Sequence, residues 1–489
     1  MKKRLRYILA MGLVTCMGCS DWLDVNPRTE MKQEELFQAE DGYKEALIGA
    51  YIQLASTDLY GKNMSMYFTE FLAHTWEVPY SGTESYIAAW KFDHADVEPM
   101  IEKIWKAYYR CIVHLNDILK HIDGSEALFS NNNYNLIKGE ALGLRGFLHL
   151  ELLRLFGPIP DAAAGGKVAL PYAEEMTKDP GKLRTLTYDE VCRKIIRDLD
   201  AAEELLKDEP LNKADNWDLN NPTVSDFEDK ERPKDDWQLY RQVRFNYYAV
   251  KGAKARYYHW IGDRENALKY AKEVIESKKF RLTNENDYDG NTWMYGRDYL
   301  SNLVMVSEQL FGVDVPSLQS IVQPLFKIES PLLQQEADYI RTAYENSSND
   351  IRNKNYWKPF FVWGAEYGRF LKYTGSDVVP AYNHVPVLRL AEMYLIVIEN
   401  SPIGAADSYW IDFIIARNLP DPLRGILTSA DAVKAQMEKE WRKEFMGEGQ
   451  MFFFYKKHAY KEYSWPGKFT VPTKAEYEIP RPQSQTVFD

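Results

Sequence analysis

Aromatic residues outside the helical segments of the sequence are the side chains best suited to bind a ligand. The chain has 33 Tyr and 13 Trp. Trp and Tyr offer wide flat faces at low entropic cost, each with one polar group. Such faces suit the apolar C–H side of a pyranose ring, whereas packing against the rest of the protein is the alternative role. The aromatic residues that lie outside helical periodicity are Trp76, Tyr80, Tyr86, Trp90, Trp293, Tyr295 and Tyr299.

Signatures of catalysis are missing from the sequence. It contains no H-E-x-x-H, G-x-S-x-G or G-x-x-x-x-G-K-[ST] motif, and its 8 His residues are scattered. The segment Glu285–Gly290 partly resembles the start of a calcium loop, but Gly296 stands where the bidentate Glu belongs. We therefore predict a protein that is not an enzyme and has no metal or cofactor. A polar turn is the favoured interpretation of Glu285–Gly290, and calcium binding is the alternative.

The first nineteen residues predict a lipoprotein signal. A basic start at Lys2–Arg6 precedes the apolar run Tyr7–Met17 and then Gly18 and Cys19. This order is typical of a secretory signal, and the run is shorter than the roughly 20 residues that a membrane-spanning helix needs. Cleavage before Cys19 would leave a cysteine for lipidation, so residues 1–18 are the predicted signal peptide. Ordinary cleavage and free secretion is the alternative.

Composition and charge describe an ordinary globular chain with an acidic surface. Of 489 residues, 45% are hydrophobic, and 60 Lys and Arg face 72 Asp and Glu, which gives a net charge of −12. Such a surface repels phosphate backbones, so nucleic acid is excluded as a partner. Two cysteines of the mature chain, Cys111 and Cys192, lie in helical apolar patterns. We expect buried free thiols there, although a disulfide is open on sequence alone.

Helical periodicity covers most of the chain, because apolar residues recur at three- and four-residue steps. The predicted helices span roughly 41–55, 101–122, 134–156, 187–206, 243–261, 264–277, 387–400, 407–417 and 429–446. Several form pairs with a short connection, most clearly at Gly262-Asp263. Thr187 and Glu190 match the T-x-x-E pattern of a capping box. The pairs resemble tetratricopeptide repeats.

Longer segments without such periodicity separate the helical blocks. Residues 60–98 and 280–385 are predicted to be irregular, with a few short strands, and residues 207–240 are predicted to be a solvated linker. The helical repeat units then occupy about 41–156, 187–277 and 387–446. The predicted fold class is mostly α, with tetratricopeptide-like helix pairs and a large loop-rich half.

Four sequence blocks together resemble the SusD/RagB family of Bacteroidetes outer-membrane lipoproteins. They are the N-terminal Cys19–Pro27, the pair Gly139–Phe147 and Leu155–Pro160, then Leu388–Leu395, and finally Glu440–Phe453. The second is similar to the family's E-A-x-x-L-R-A helix with its Leu-Phe-Gly turn. The third is similar to R-x-A-E-x-Y-L and the fourth to E-x-x-x-E-F-x-G-E-G. Their order runs the length of the mature chain.

The resemblance implies a single SusD-like domain over 19–489, an α-superhelix of four repeat units whose irregular segments 60–98 and 280–385 face the ligand. It implies capture of an oligosaccharide at the cell surface and delivery to a SusC-type TonB-dependent outer-membrane transporter, without bond cleavage. A lipid anchor would hold the protein at the outer membrane. By this resemblance the predicted ligand-binding residues are Trp76, Tyr80, Tyr86, Trp90, Trp293 and Tyr295.

Other functions fit parts of the same sequence. An oligopeptide ligand is the first alternative, because an acidic chain could favour basic peptides. A surface glycosidase and a scaffold of the transporter without its own ligand are further alternatives. The charged residues of the family blocks are predicted to be structural: Arg389 with Glu392, and Glu440 with Glu444, would form an Arg–carboxylate network. Gly447 and Gly449 would allow a positive φ at a helix end.

Overall fold

A computed structural model gives the fold of most of the chain. It describes residues 35–175, 183–212, 233, 235–288, 303–326, 331–374, 383–472 and 477–486. The predicted signal peptide, the predicted lipidation site Cys19 and the predicted ligand residues Trp293 and Tyr295 lie outside these ranges. No helix of the described residues is both long enough and apolar enough to cross a bilayer.

Helices dominate the described chain, as the periodicity predicts. The N-terminal ones are α1 (Glu40–Leu54), α2 (Phe68–Leu72), α3 (Thr83–Ala88), α4 (Glu98–Ile122), α5 (Asn133–Phe156), α6 (Tyr188–Leu206), α7 (Tyr247–Ile261) and α8 (Arg264–Glu276). The C-terminal ones are α9 (Leu318–Phe326), α10 (Ala337–Ala343), α11 (Ile351–Tyr356), α12 (Leu390–Asn400), α13 (Asp407–Ala416), α14 (Ala430–Glu444), α15 (Met451–Lys457) and α16 (Gln483–Thr486). Every predicted helix is confirmed, with ends that shift by up to four residues.

The long helices pack as successive pairs. The pairs α1–α4, α5–α6, α7–α8 and α12–α13 are in contact, and α4–α5, α6–α7 and α8–α12 link each pair to the next. Close approach explains two glycines of α5: a Cβ at Gly139 would lie 2.7 Å from Leu206 Cγ, and one at Gly143 would lie 2.7 Å from Phe245 Cδ1. The predicted capping box at Thr187 and Glu190 begins α6.

Short antiparallel strands lie mostly between the predicted helices, and one of them, His384–Arg389, replaces the predicted start of the helix at 387–400. They are β1 (Val168–Pro171), β2 (Thr185–Thr187), β3 (Gln309–Asp314), β4 (Gln334–Glu336), β5 (Trp357–Val362), β6 (Ala365–Phe370), β7 (His384–Arg389), β8 (Glu462–Tyr463) and β9 (Phe469–Thr470). The pairs are β1–β2, β3–β7 and β8–β9, and a three-stranded sheet has the order β4-β6-β5. Within this sheet β5 and β6 form a hairpin, in which Trp357 faces Phe370 and Val362 faces Ala365.

A buried ionic network holds the C-terminal elements together. Glu444 accepts hydrogen bonds from Arg389 Nη1 (2.7 Å), Arg417 Nη2 (2.8 Å) and Arg352 Nη1 (3.0 Å), and all four side chains are fully buried. Glu308 accepts from Arg389 (2.9 Å) and Arg417 (2.7 Å) as well. Burial alone raises the pKa of Glu444, but the charges of Arg417 and Arg389 outweigh it and hold that pKa well below its usual range.

The predicted network is therefore present, with one wrong pairing. Arg389 ends β7 and does not share a helical face with Glu392, which lies in α12. Glu392 instead accepts two hydrogen bonds from Arg256 of α7, each 2.7 Å long. Gly447 and Gly449 have φ of +75° and +73°, as predicted for the turn after α14.

Two further predictions have clear outcomes. Cys111 and Cys192 are buried free thiols, and burial raises the pKa of Cys192 to about 12. The linker predicted for 207–240 is wrong at both of its described ends. Glu209 is buried at the first end, and Gln238 and Leu239 are buried at the second. The buried charge of Glu209 is compensated by an ion pair of 2.5 Å with Arg241, which lies just beyond the predicted linker.

Candidate functional site

Two of the predicted ligand residues, Trp76 and Trp90, lie in the core. Their indole N–H groups donate to backbone carbonyl oxygens, Trp76 to Met66 (2.8 Å) and Trp90 to Leu72 (3.3 Å). Both side chains are buried, so neither offers a face to a ligand. The prediction that they form a sugar platform does not fit this burial, because an irregular segment can be buried as deeply as a helix.

Trp76 nevertheless packs beneath the β5–β6 hairpin. Its ring packs against Trp357 (6.2 Å between centroids) and Phe370 (5.3 Å), which are the paired residues at the base of the β5–β6 hairpin. The side chain thus lies under the hairpin.

The other two described candidates, Tyr80 and Tyr86, lie at the surface. Tyr80 is fully exposed, in the loop between α2 and α3. Tyr86 is half-buried in α3, where it stacks on His94 with 3.6 Å between ring centroids. Lys91 lies 5.4 Å from the Tyr86 centroid. Tyr80 therefore offers an unoccupied aromatic face, while one face of Tyr86 is already covered.

Hydrogen bonds join the Tyr80 loop to the three-stranded sheet. The backbone N–H of Glu77 donates to Gln334 O (2.9 Å), and Gln334 Nε2 donates to the Glu77 carboxylate (2.6 Å). Gln335 Nε2 also donates to Thr75 O (3.0 Å). The loop that bears Tyr80 is thereby anchored along β4, and we call loop 77–86 together with β4, β5 and β6 the sheet–loop surface.

The hairpin of this surface carries exposed aromatic residues that the sequence analysis missed. Trp363 is 102% exposed and Phe361 is 71% exposed. Trp363 and Gly364 form the turn with φ of +51° and +88°, the left-handed pair that a two-residue hairpin requires. The signal in the sequence was Trp-Gly between two runs rich in aromatic and β-branched residues. On the other face of the hairpin, Phe360 and Tyr367 pair with centroids 5.9 Å apart.

A buried carboxyl lies in the segment that leads into this loop. Glu70 of α2 is fully buried, and its Oε1 accepts the Gly449 N–H at 2.7 Å. Burial raises the pKa of Glu70 to about 7. The Gly-Glu-Gly turn after α14 is thus attached directly to the segment that leads into the Tyr80 loop.

Metal binding finds no support among the described residues. None of their His, Cys, Asp and Glu side chains form a group of three that could hold a metal ion. Asp287, in the segment compared with a calcium loop, accepts from Arg281 Nη1 (2.7 Å), Arg281 Nη2 (2.5 Å) and Asn284 N (2.9 Å). Its oxygens are engaged by these donors, and the positions from 289 to 302 lie outside the described residues.

Comparison with known proteins shows which family part of this chain is similar to. A SusD-like family model with the description "Starch-binding associating with outer membrane" matches residues 21–216. SusD-like protein P2 of Formosa agariphila is 24% identical over 220 residues, which cover 43% of this chain and 40% of the relative. SusD-like protein P25 of the same organism is 24% identical over 155 residues, 30% of this chain and 29% of the relative. The chain thus aligns with less than half of each relative.

Solved structures share the fold over most of the chain. A SusD superfamily protein from Bacteroides thetaiotaomicron has a TM-score of 0.69 at 20% identity, and the match covers 92% of this chain and 98% of that one. A SusD-like carbohydrate binding protein from Bacteroides vulgatus has a TM-score of 0.66 at 18% identity, over 92% and 96% of the two chains. The chain is therefore similar to the SusD-like family over residues 21–216, and it shares the fold of the SusD superfamily structure over 92% of its length.

Proposed function

We propose that the protein binds an oligosaccharide on its sheet–loop surface and delivers it to a TonB-dependent outer-membrane transporter, without cleaving a bond. The observation that carries the proposal is Trp363. Its side chain is fully exposed, and its backbone has a positive φ, which disfavours a bulky residue. Both features cost stability in the free protein, and strain of this kind is found at binding sites.

The composition of the surface supports a sugar as the ligand. Tyr80, Phe361 and Trp363 are exposed and offer flat apolar faces. The surface also contains Glu77 and Glu366, and Glu366 of β6 is the cross-strand neighbour of Phe361 and pairs with Arg341 at 3.1 Å. Polar groups that suit hydroxyls therefore belong to the same surface. The family description and the solved carbohydrate-binding relative agree with this ligand class.

The first test is glycan binding by the full chain, purified in a detergent without a sugar headgroup. A glycan array identifies a ligand, and calorimetric titration measures its affinity. We expect Tyr80→Ala and Trp363→Asn each to weaken binding, since each removes one stacking face. Ile52→Ala, which removes an exposed apolar side chain from α1, is the matched control and should bind like the wild type. Equal affinity in all four proteins would refute the assignment of the surface, and a basic peptide as the better ligand would refute the substrate class.

The transporter and the anchor need separate tests. A tagged chain expressed in its native membrane should copurify with a TonB-dependent barrel and carry acyl chains on Cys19, which mass spectrometry of the N-terminal peptide detects. A chain that purifies without any barrel would contradict delivery. An unmodified N-terminus would contradict the anchor.

A further inference from the structure

A separate pocket lies at the end of the β3–β7 ladder and shares no lining residue with the sheet–loop surface. Its volume is about 460 Å³, within the usual range of ligand sites. One wall is the 3₁₀ turn Asp236–Gln238 with the following turn Arg241–Val243. The other is the ladder end, where Asp314 of β3 faces His384 of β7. The residues that line it include Trp237, Tyr240, Arg244, Asp314, Asn383 and His384.

The walls of the pocket are fixed by the surrounding structure. Arg244 is more than nine-tenths buried, donates to Glu140 Oε2 at 3.0 Å and places its guanidinium 4.1 Å from the Trp237 ring centroid. The Trp237 backbone N–H donates to Asp235 Oδ1 at 2.9 Å. Across the pocket, the Asn383 carbonyl accepts the Val315 N–H at 2.9 Å. The Arg244 side chain and the backbones of Trp237 and Asn383 are therefore held in place by the surrounding structure.

Three polar atoms of the lining residues are buried and have no hydrogen-bond partner. They are Trp237 Nε1, Arg244 Nη2 and Asn383 Oδ1. A buried polar atom without a partner costs roughly 1–3 kcal/mol, and most such atoms in proteins are satisfied. Three orphaned atoms around one pocket indicate that a polar molecule completes the site. Two of them need an acceptor and one needs a donor.

We propose that this pocket binds a ring of a neutral saccharide, as a second sugar site of the protein. A hydroxyl group both donates and accepts, so ring hydroxyls offer the acceptors that Trp237 Nε1 and Arg244 Nη2 need and the donor that Asn383 Oδ1 needs. Tyr240, which is 54% exposed, offers an aromatic face beside them. A neutral ring fits better than an acidic one, because Asp236 and Asp314 line the same pocket and the charge of Arg244 is compensated by Glu140.

The imidazole of His384 agrees with a neutral ligand. Burial lowers the pKa of His384 to about 4, so the ring is uncharged near pH 7. Gln309 Nε2 donates to His384 Nδ1 at 3.2 Å, which leaves the Nε2 hydrogen available as a further donor. The inference rests on the proposed function only for the class of ligand, since the pocket and its orphaned atoms are independent of the sheet–loop surface.

The test is calorimetric titration of the full chain, in the same detergent, with glucose, galactose, mannose, xylose, N-acetylglucosamine, maltose and cellobiose. We expect at least one of them to bind. Tyr240→Asn should weaken the affinity for that sugar about tenfold, which is the effect of losing one good contact. Asn suits this position because Tyr240 has a φ of +56°. Trp237→Phe keeps a six-membered aromatic ring, removes the N–H donor together with the five-membered ring, and should weaken binding by a smaller factor.

Two comparisons separate this site from the sheet–loop surface. Binding that is weakened by Tyr240→Asn and Trp237→Phe but unchanged by Trp363→Asn supports the second site, provided that thermal melts show every variant to be folded at the temperature of the titration. Binding that is weakened only by Trp363→Asn supports the proposed function and overturns this inference. A preference for glucuronic acid over glucose would overturn the neutral ligand, and no binding by any of these sugars would overturn the pocket as a sugar site.

Discussion

The ionic network and the sheet–loop surface reverse the usual distribution of side chains. In the network, Arg352, Arg389, Arg417 and Glu444 are charged and fully buried. On the hairpin, Phe361 and Trp363 are aromatic and exposed. Charged residues are rarely fully buried without partners, whereas large exposed aromatic clusters mark interaction sites.

The difference separates residues that maintain the fold from residues that are available for binding. The network joins β7, α11, α13 and α14, and each of its charges has a partner inside the protein. The exposed aromatic residues have no such partner in the described structure, so their faces are available for contact with another molecule. The comparison predicts that changes in the network alter stability and that changes on the hairpin alter affinity.

The largest expected effect is that of Glu444→Gln. The variant keeps the shape of the side chain but leaves three buried guanidinium groups without a shared counter-charge. Removing one partner of a buried ion pair costs about 3–5 kcal/mol. Urea denaturation should show this loss in the free energy of unfolding.

The matched control is Asp421→Asn, which breaks the exposed pair between Asp421 and Arg424 at 2.9 Å. An exposed pair contributes about 0–1 kcal/mol, so this variant should unfold close to the wild type. If both variants lose the same small amount, the network does not hold the C-terminal elements together.

The next prediction contrasts the loss of stability on removing a buried tryptophan with the loss on removing an exposed one. Trp76→Ala removes a core side chain that packs on Trp357 and Phe370, and we expect a loss of about 3–5 kcal/mol in the free energy of unfolding. Trp363→Ala removes a side chain of the same size from the surface and should change stability by about 0.5 kcal/mol at most. Thermal melts of the two variants measure the contrast, and similar losses would show that the hairpin tip is part of the core.

The third effect is a pH dependence due to Glu70. Its pKa is about 7 in the folded protein and 4.5 when unperturbed, so the folded state keeps a proton that the unfolded state releases. Stability should therefore fall as the pH rises from 4.5 to 7, by up to about 1.4 kcal/mol for each pH unit. Above pH 7 both states are ionised and this dependence ends.

Glu70→Gln isolates this contribution, because the amide cannot ionise. The difference in unfolding free energy between the wild type and the variant should change across that window and be constant above it. Glu444, whose pKa is lowered, contributes an opposite dependence that appears only as the pH falls below the unperturbed 4.5. A constant difference from pH 4.5 to 7 would show that Glu70 is ionised throughout.

The helices could be predicted from the sequence, and the environment of each aromatic residue could not. A stripe such as that of α6 specifies both the helix and its buried face, because the period is local. The burial of Trp90, in contrast, depends on Phe452 and Tyr477, which lie hundreds of residues along the chain. The pairing of β3 with β7 likewise joins distant segments, because the paired residues are separated by 70 residues (Asp314 with His384) to 80 residues (Gln309 with Arg389). The partners of Arg389 required the tertiary structure for the same reason.

The β5–β6 hairpin could have been predicted from the sequence, because Trp-Gly at 363–364 is a local signal for a turn. Asn or Gly is the preferred residue at the first position of such a turn, and this chain has Trp there. A local misfit of this kind is expected at functional sites, where it lowers stability.

A small effect on stability tests the comparison most sharply, because Trp363→Asn should have opposite effects on stability and binding. Asn tolerates the φ of +51°, so the variant should be more stable by about 0.5–1 kcal/mol. The same change removes a stacking face and should weaken glycan binding by roughly two- to tenfold. Thermal melts and titration of one preparation measure both quantities. A variant that gains stability and retains affinity would show that Trp363 is merely strained, and the ligand would then have to be sought at Tyr80 or in the Trp237 pocket.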